Sequence, residues 1–115
     1  NRTKKKADNL KNLFNNLNIV DWGEVPNVDM VINATSLGLK KKDKLNLNFL
    51  SNGKKKIFYD VIYNPKKTNF LRTGENLGYK IINGKLMFIY QAFLAFDIWH
   101  KLKPDVNEEV LKLLD

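Results

Sequence analysis

Four short clusters of side chains in this sequence have the types and spacing to border a bound ligand. The first is Asn1-Arg2-Thr3, just ahead of an amphipathic segment. At the equivalent place in a dinucleotide-binding unit an acidic side chain holds a ribose 2′-hydroxyl, whereas an arginine with neutral neighbours suits a 2′-phosphate. The local chemistry at Arg2 therefore favours NADP, although an arginine in such a place is, taken alone, usually just an exposed cation. The second cluster is Asn33-Ala34-Thr35-Ser36-Leu37-Gly38, small and polar, in which Gly38 lets backbone come close to a ligand; a plain tight turn is equally consistent. In the third, Asp60 and Tyr63 flank a strongly apolar run, and Asp60 reads first as a hydrogen-bonded structural carboxylate. The fourth is Asn83-Gly84, followed by Gln91, the one amide in the first two turns of an otherwise apolar helix. A buried amide left without a partner costs roughly 1–3 kcal/mol, so Gln91 is expected to meet either a backbone group or a bound hydroxyl. His100 is the only histidine and stands near a helix end, where a cation is mildly favoured. With no second histidine and no cysteine beside it, no metal site is expected, and His100 is discounted as a base.

For these clusters to meet, the segments between them must place them along one edge. Ala7, Leu10, Leu13, Phe14 and Leu17 recur at helical spacing, predicting an amphipathic surface helix over 4–17 with Thr3 as its N-cap. Residues 18–22 are a short, weak strand candidate. Met30, Val31 and Ile32 form a continuous apolar run within 29–34, as a parallel strand covered on both faces requires. A further strand is predicted over 56–63, ended at Asn64-Pro65, where the missing N–H and fixed φ stop the ladder. A helix over 67–77 follows with Gly78 as its C′ residue, then a strand over 79–82. The helix expected over 85–102 is apolar on nearly every face, which predicts burial between layers; Pro104 ends it and a short helix spans 107–114. Residues 40–52 hold at most one helical turn, around 47–50. This order, with short connections, is the α/β pattern of a parallel sheet with flanking helices, whose ligands sit outside the carboxyl ends of the strands.

Composition narrows the partners. With 115 residues, 43% hydrophobic, 11% aromatic and no cysteine, the chain suits one α/β domain in a reducing compartment, so a soluble, cytoplasmic protein is expected. The longest apolar run, 86–99, is interrupted by Gln91 and Asp97 and is too short for the roughly 20 residues that cross a bilayer. The net charge of +8 gathers in lysine triplets at 4–6, 40–42 and 54–56, which read as solvated loop and helix-end lysines. A basic nucleic-acid-binding module is the alternative of another class, but the triplets lack the flanking aromatic platforms that single-strand binding uses, so no nucleic acid is expected.

Taken together, five segments resemble, in order and in spacing, the successive motifs of shikimate dehydrogenase: Asn1-Arg2-Thr3 with Lys6-Ala7; residues 29–38; Tyr59-Asp60-Val61-Ile62-Tyr63-Asn64-Pro65 with Thr68; Asn83-Gly84 with Met87 and Gln91; and Ala95-Phe96 with Trp99. The resemblance implies a partial Rossmann-like NADP-binding domain of an oxidoreductase that reduces 3-dehydroshikimate to shikimate with NADPH, in the pathway to aromatic amino acids. A quinate and shikimate enzyme using NAD as well is the nearest alternative. By resemblance, Asn1, Arg2 and Thr3 hold the adenosine 2′-phosphate with Lys6 nearby. Thr35 and Ser36 border the cofactor chiefly through their backbone, Val61 and Gly84 line the nicotinamide through carbonyl groups, and Met87 packs near it. Tyr63 sits beside the substrate and Gln91 hydrogen-bonds a substrate hydroxyl. Val61 and Ile62 depart from the family, standing where methionine or another large apolar residue is common.

The family's glycine-rich phosphate loop, the strand before it and the substrate domain with its catalytic Lys and Asp find no match in these residues. Residues 1–115 are therefore expected to be one incomplete, C-terminal NADP-binding domain that includes the helices 85–102 and 107–114, holds no catalytic residue and is inactive alone. In a sheet of order 3-2-1-4-5-6, these residues would keep the third strand, near 18–22, and the fourth to sixth. The strand at 29–34 would then be an unpaired edge, inviting self-association or a rearranged sheet.

Overall fold

The computed structural model describes residues 3–49 and 55–114. Its elements are α1 (Lys4–Lys11), β1 (Met30–Asn33), β2 (Ile57–Asp60), α2 (Asn69–Asn76), β3 (Lys80–Ile82), α3 (Lys85–His100) and α4 (Glu108–Lys112). The strands form one parallel sheet of order β1-β2-β3, with Met30 opposite Ile57 and Asn33 opposite Asp60, then Ile57 opposite Lys80 and Tyr59 opposite Ile82. The fold is thus the expected α/β arrangement, a parallel sheet with flanking helices. The sheet keeps the predicted succession of its last three strands, with β1 at one edge.

Helix α2 covers one face of the sheet. Phe58 on β2 is fully buried against Phe70 and Leu71, and Phe49, Tyr79 and Val31 pack around them. Ring centroids lie 5.0 Å apart for Phe58 and Phe70 and 4.9 Å for Phe49 and Phe58, distances at which aromatic rings attract beyond their area burial. α2 can approach this closely because it carries Gly74: a Cβ there would come within 2.5 Å of the Phe58 ring. Its start is fixed by Thr68, whose side chain accepts the Leu71 N–H, and its end by Gly78 at φ +76, where the Gly78 N–H reaches the Glu75 carbonyl.

Several expectations are corrected. α1 ends at Lys11 rather than at 17, and Leu13 and Phe14 are exposed. Asn12, Asn15 and Asn16 favour turns over helix, and α1 buries no residue that would hold them in it. Thr3 occupies the N-cap position, yet its side chain makes no capping bond, and its carbonyl takes the Lys6 and Ala7 N–H groups. Residues 18–22 form no strand, since a strand exists only where a neighbour takes its N–H and C=O groups. No helical turn forms at 45–49; Asn48 instead bridges to Glu24, and Leu47 and Phe49 pack on the core. Leu50 lies outside the described residues. β2 stops at Asp60, short of 63, because the Asp60 carboxylate turns back to take the Ile62 N–H at 3.0 Å.

The largest correction concerns α3, which ends at His100, where Lys101 adopts φ 55 and its N–H closes on the Asp97 carbonyl. It is not buried between layers. Ile89 is its one buried residue, while Leu86, Met87, Tyr90, Leu94, Phe96, Ile98 and Trp99 are exposed, Trp99 to 75%. Gln91 is consequently exposed as well and has no burial to offset.

Candidate functional site

The carboxyl ends of β1 and β2 are joined by a buried polar network. Asp60, fully buried, accepts from Asn33 Nδ2 at 3.1 Å to each oxygen, from the Thr68 hydroxyl at 2.6 Å and from the Ile62 N–H. Asn33, itself buried, donates also to the Leu37 carbonyl at 3.0 Å and accepts from the Thr35 N–H and hydroxyl at 3.1 and 2.7 Å. Every polar atom of this knot has a partner, which is how a buried carboxylate is tolerated. Asp60 is therefore the structural carboxylate that its place in the sequence suggested. Its partners Asn33 and Thr68, 27 and 8 residues away, were not legible as such: both are short polar residues at strand or helix ends, a signal too common to identify a contact.

The knot shapes the rim. Because the Thr35 hydroxyl donates to Asn33 and accepts the Leu37 N–H at 3.1 Å, its hydrogen bonding is spent within the turn, and what the turn offers a ligand is the backbone of Thr35 and Ser36. Both residues line a cavity of about 940 Å³, together with Trp22, Ile32, Leu45 and Phe70. At the next strand, the Val61 N–H reaches the Asn33 carbonyl at 3.1 Å and the Gly84 N–H reaches the Ile62 carbonyl at 3.1 Å, so the ladder runs on past β2 and brings the start of α3 against it. Here glycine is required: a Cβ on Gly84 would collide with the Val61 carbonyl. Asn83 secures the same corner, donating to the Lys66 carbonyl at 3.1 Å and accepting the Lys85 N–H at 3.2 Å.

Tyr63 is half-buried and stacks on Phe88 of α3 with centroids 4.6 Å apart. Gly84, Met87 and Gln91 follow at intervals of three and four, so they share one stripe of α3, and the side chains of Met87 and Gln91 are exposed along it. The structure thus brings Thr35, Ser36, Val61, Tyr63 and Gly84 to one rim with Met87 and Gln91 on the adjoining helix. Asn1 and Arg2 lie outside the described residues, while Lys6 is exposed on α1. His100 packs against Phe96 at the far end of α3, the rings tilted by 38° with centroids 4.4 Å apart. Among the described residues, no group of three or more His, Cys, Asp or Glu side chains is placed to hold a metal, and no helix is long and apolar enough to cross a membrane.

No protein-family model matches the chain. It is 53% identical over 115 residues to the shikimate dehydrogenase (NADP(+)) of Pelagibacter ubique, a match that covers all of this chain and 43% of that one. Among solved structures, the shikimate dehydrogenase from Aquifex aeolicus superposes with a TM-score of 0.75 at 30% identity, over 99% of this chain and 42% of that one. A shikimate dehydrogenase in complex with NADP+ superposes with a TM-score of 0.63 at 34% identity, covering 76% of this chain and 30% of that one. The chain therefore spans less than half the length of the relatives it matches, and its fold is the Rossmann-like one of these neighbours.

Proposed function

We propose that these 115 residues, which are 53% identical over their whole length to a shikimate dehydrogenase (NADP(+)), form the cofactor-binding part of an NADP-dependent oxidoreductase of that family, which reduces 3-dehydroshikimate to shikimate in the cytoplasm. The observation that carries the reading is the rim, where Thr35, Ser36, Val61 and Gly84 present backbone at the carboxyl ends of parallel strands, the place where such folds take a dinucleotide. The donor set fits: the side chains of Asn33 and Thr35 are consumed by the turn, Gly84 removes the one Cβ that would stand between strand and helix, and exposed Met87 adds an apolar surface for a flat ring. NADPH, when bound, supplies the hydride.

The chain's own residues bind and orient. Tyr63, fixed by its stack on Phe88, borders the substrate, and the Gln91 amide, one turn beyond Met87, donates to or accepts from a substrate hydroxyl. Asn1, Arg2 and Thr3, with Lys6 nearby, hold the 2′-phosphate; a guanidinium there favours NADP over NAD. The proton-transferring residues are assigned to the part of the longer relatives that this chain does not span, so the chain alone is inactive. That part also covers the open apolar face of α3, including Leu94 and Ile98.

The test is a chimaera in which these 115 residues replace the matching stretch of the Pelagibacter ubique relative. It should oxidise shikimate with NADP+, and Gln91→Ala should raise KM for shikimate. A folded chimaera inactive on shikimate, or one that prefers quinate with NAD+, would sink the reading.

A further inference from the structure

A second cavity, of about 380 Å³, opens between the loop after β1 and the start of α2. Lys40, Lys41, Lys67 and Arg72 line it, with no acidic and no aromatic side chain among its lining residues, and it shares none of those residues with the rim cavity. Its two walls are tied together. Asn69 Nδ2 donates to the carbonyls of Lys41 and Asp43 at 3.2 and 2.9 Å, and the Asp43 carboxylate accepts the N–H groups of Gly38 and Lys40 at 3.2 and 3.1 Å. Those two bonds, Lys40 first, hold the Asp43 carboxyl below its ordinary range, so its charge is committed to the loop's own backbone. Lys67 is shared with Glu75 at 2.8 Å, whereas neither Lys41 nor Arg72 has an ion-pair partner among the described residues. Cations brought together around a concavity repel one another, and a multivalent anion relieves that repulsion at every one of them.

We propose that this cavity binds a small phosphate anion, either inorganic or the phosphoryl end of a metabolite, between Lys40, Lys41 and the Arg72 guanidinium. Arginine offers two parallel donors to phosphate oxygens and the lysines add point charge. A small anion is favoured over a nucleic acid because the cavity has no ring on which a base could stack. The inference is independent of the dinucleotide reading, which uses other residues.

The experiment is an amide NMR titration of the 115-residue chain with pyrophosphate and, separately, with glycerol 3-phosphate; the tighter of the two names the source. Shifts should concentrate at 38–41 and 67–72 and weaken with added salt. The Lys41→Ala/Arg72→Ala variant, altered only at exposed positions, should keep its circular dichroism and bind roughly ten-fold or more weakly, as loss of two charged donors implies. Lys11→Ala should bind as the parent does. Shifts centred on other residues, or an unweakened double variant, would overturn the proposal. So would displacement of pyrophosphate by NADP+, which would make the cavity part of the cofactor site, or tighter binding of a single-stranded oligonucleotide to the same amides.

Discussion

Asp60 draws donors from three segments, Asn33 at the end of β1, Thr68 at the start of α2 and the Ile62 N–H just beyond β2. A carboxylate so enclosed is a fastener rather than a base, because removing one partner of a buried charge costs far more than the pair contributes. With that group committed, the rim's chemistry rests on backbone, and backbone can be approached only where no side chain intervenes. Gly84 is that place: the Val61 carbonyl occupies the space a Cβ would need. Gly84→Ala should wedge α3 from the strand and destabilise the chain by about 1–3 kcal/mol, the usual cost of overpacking. Urea unfolding checks this, and a variant with the parent's midpoint would show that the contact relaxes freely.

At the scale of elements, α2 shows two physical effects in opposition. An interior helical glycine costs about 1 kcal/mol relative to alanine in propensity, so Gly74→Ala would stabilise an isolated helix. In this fold the added methyl would lie 2.5 Å from the Phe58 ring, at the centre of the core. Overpacking of about 1–3 kcal/mol equals or exceeds the propensity gain, so Gly74→Ala should lower the thermal midpoint. A raised midpoint would mean that α2 can shift outward without loss. Helix α3 presents the reverse situation: its apolar residues occupy all faces, yet only Ile89 is buried, although Tyr63 and the segment around Val106 and Val110 border one side of it.

Across the whole molecule, β1 is one of the two edges of the sheet among the described residues, and only one of its faces is covered. Val31 packs on the core while Met30 and Ile32 are exposed. The Ile57 and Val61 N–H groups bond the carbonyls of Asp29 and Asn33, so the main-chain groups of Met30 and Ile32 point the other way, toward the open edge. An apolar edge with unspent donors pairs with another chain. The 115-residue chain is therefore expected to self-associate through β1, with light scattering rising with concentration. A compact monomer whose Met30 and Ile32 amides are nonetheless protected from exchange would refute this.

The sequence by itself determined which segments become strands and helices around the rim. The apolar runs at Met30, Val31 and Ile32 and at Ile57, Phe58 and Tyr59 and the stop at Gly78 act within a few residues, so their signals are local. Between β2 and β3 the parallel order followed from the intervening helix α2. Only the tertiary structure decided that 18–22 finds no partner, that α1 stops at Lys11, that Asn33, Asp60 and Thr68 meet, and that Gln91 faces outward. Each of these depends on what lies across a gap from distant parts of the chain. Periodicity states which side of an element would gain from being covered, but burial is a relation between two surfaces, and the second surface is not written in the first.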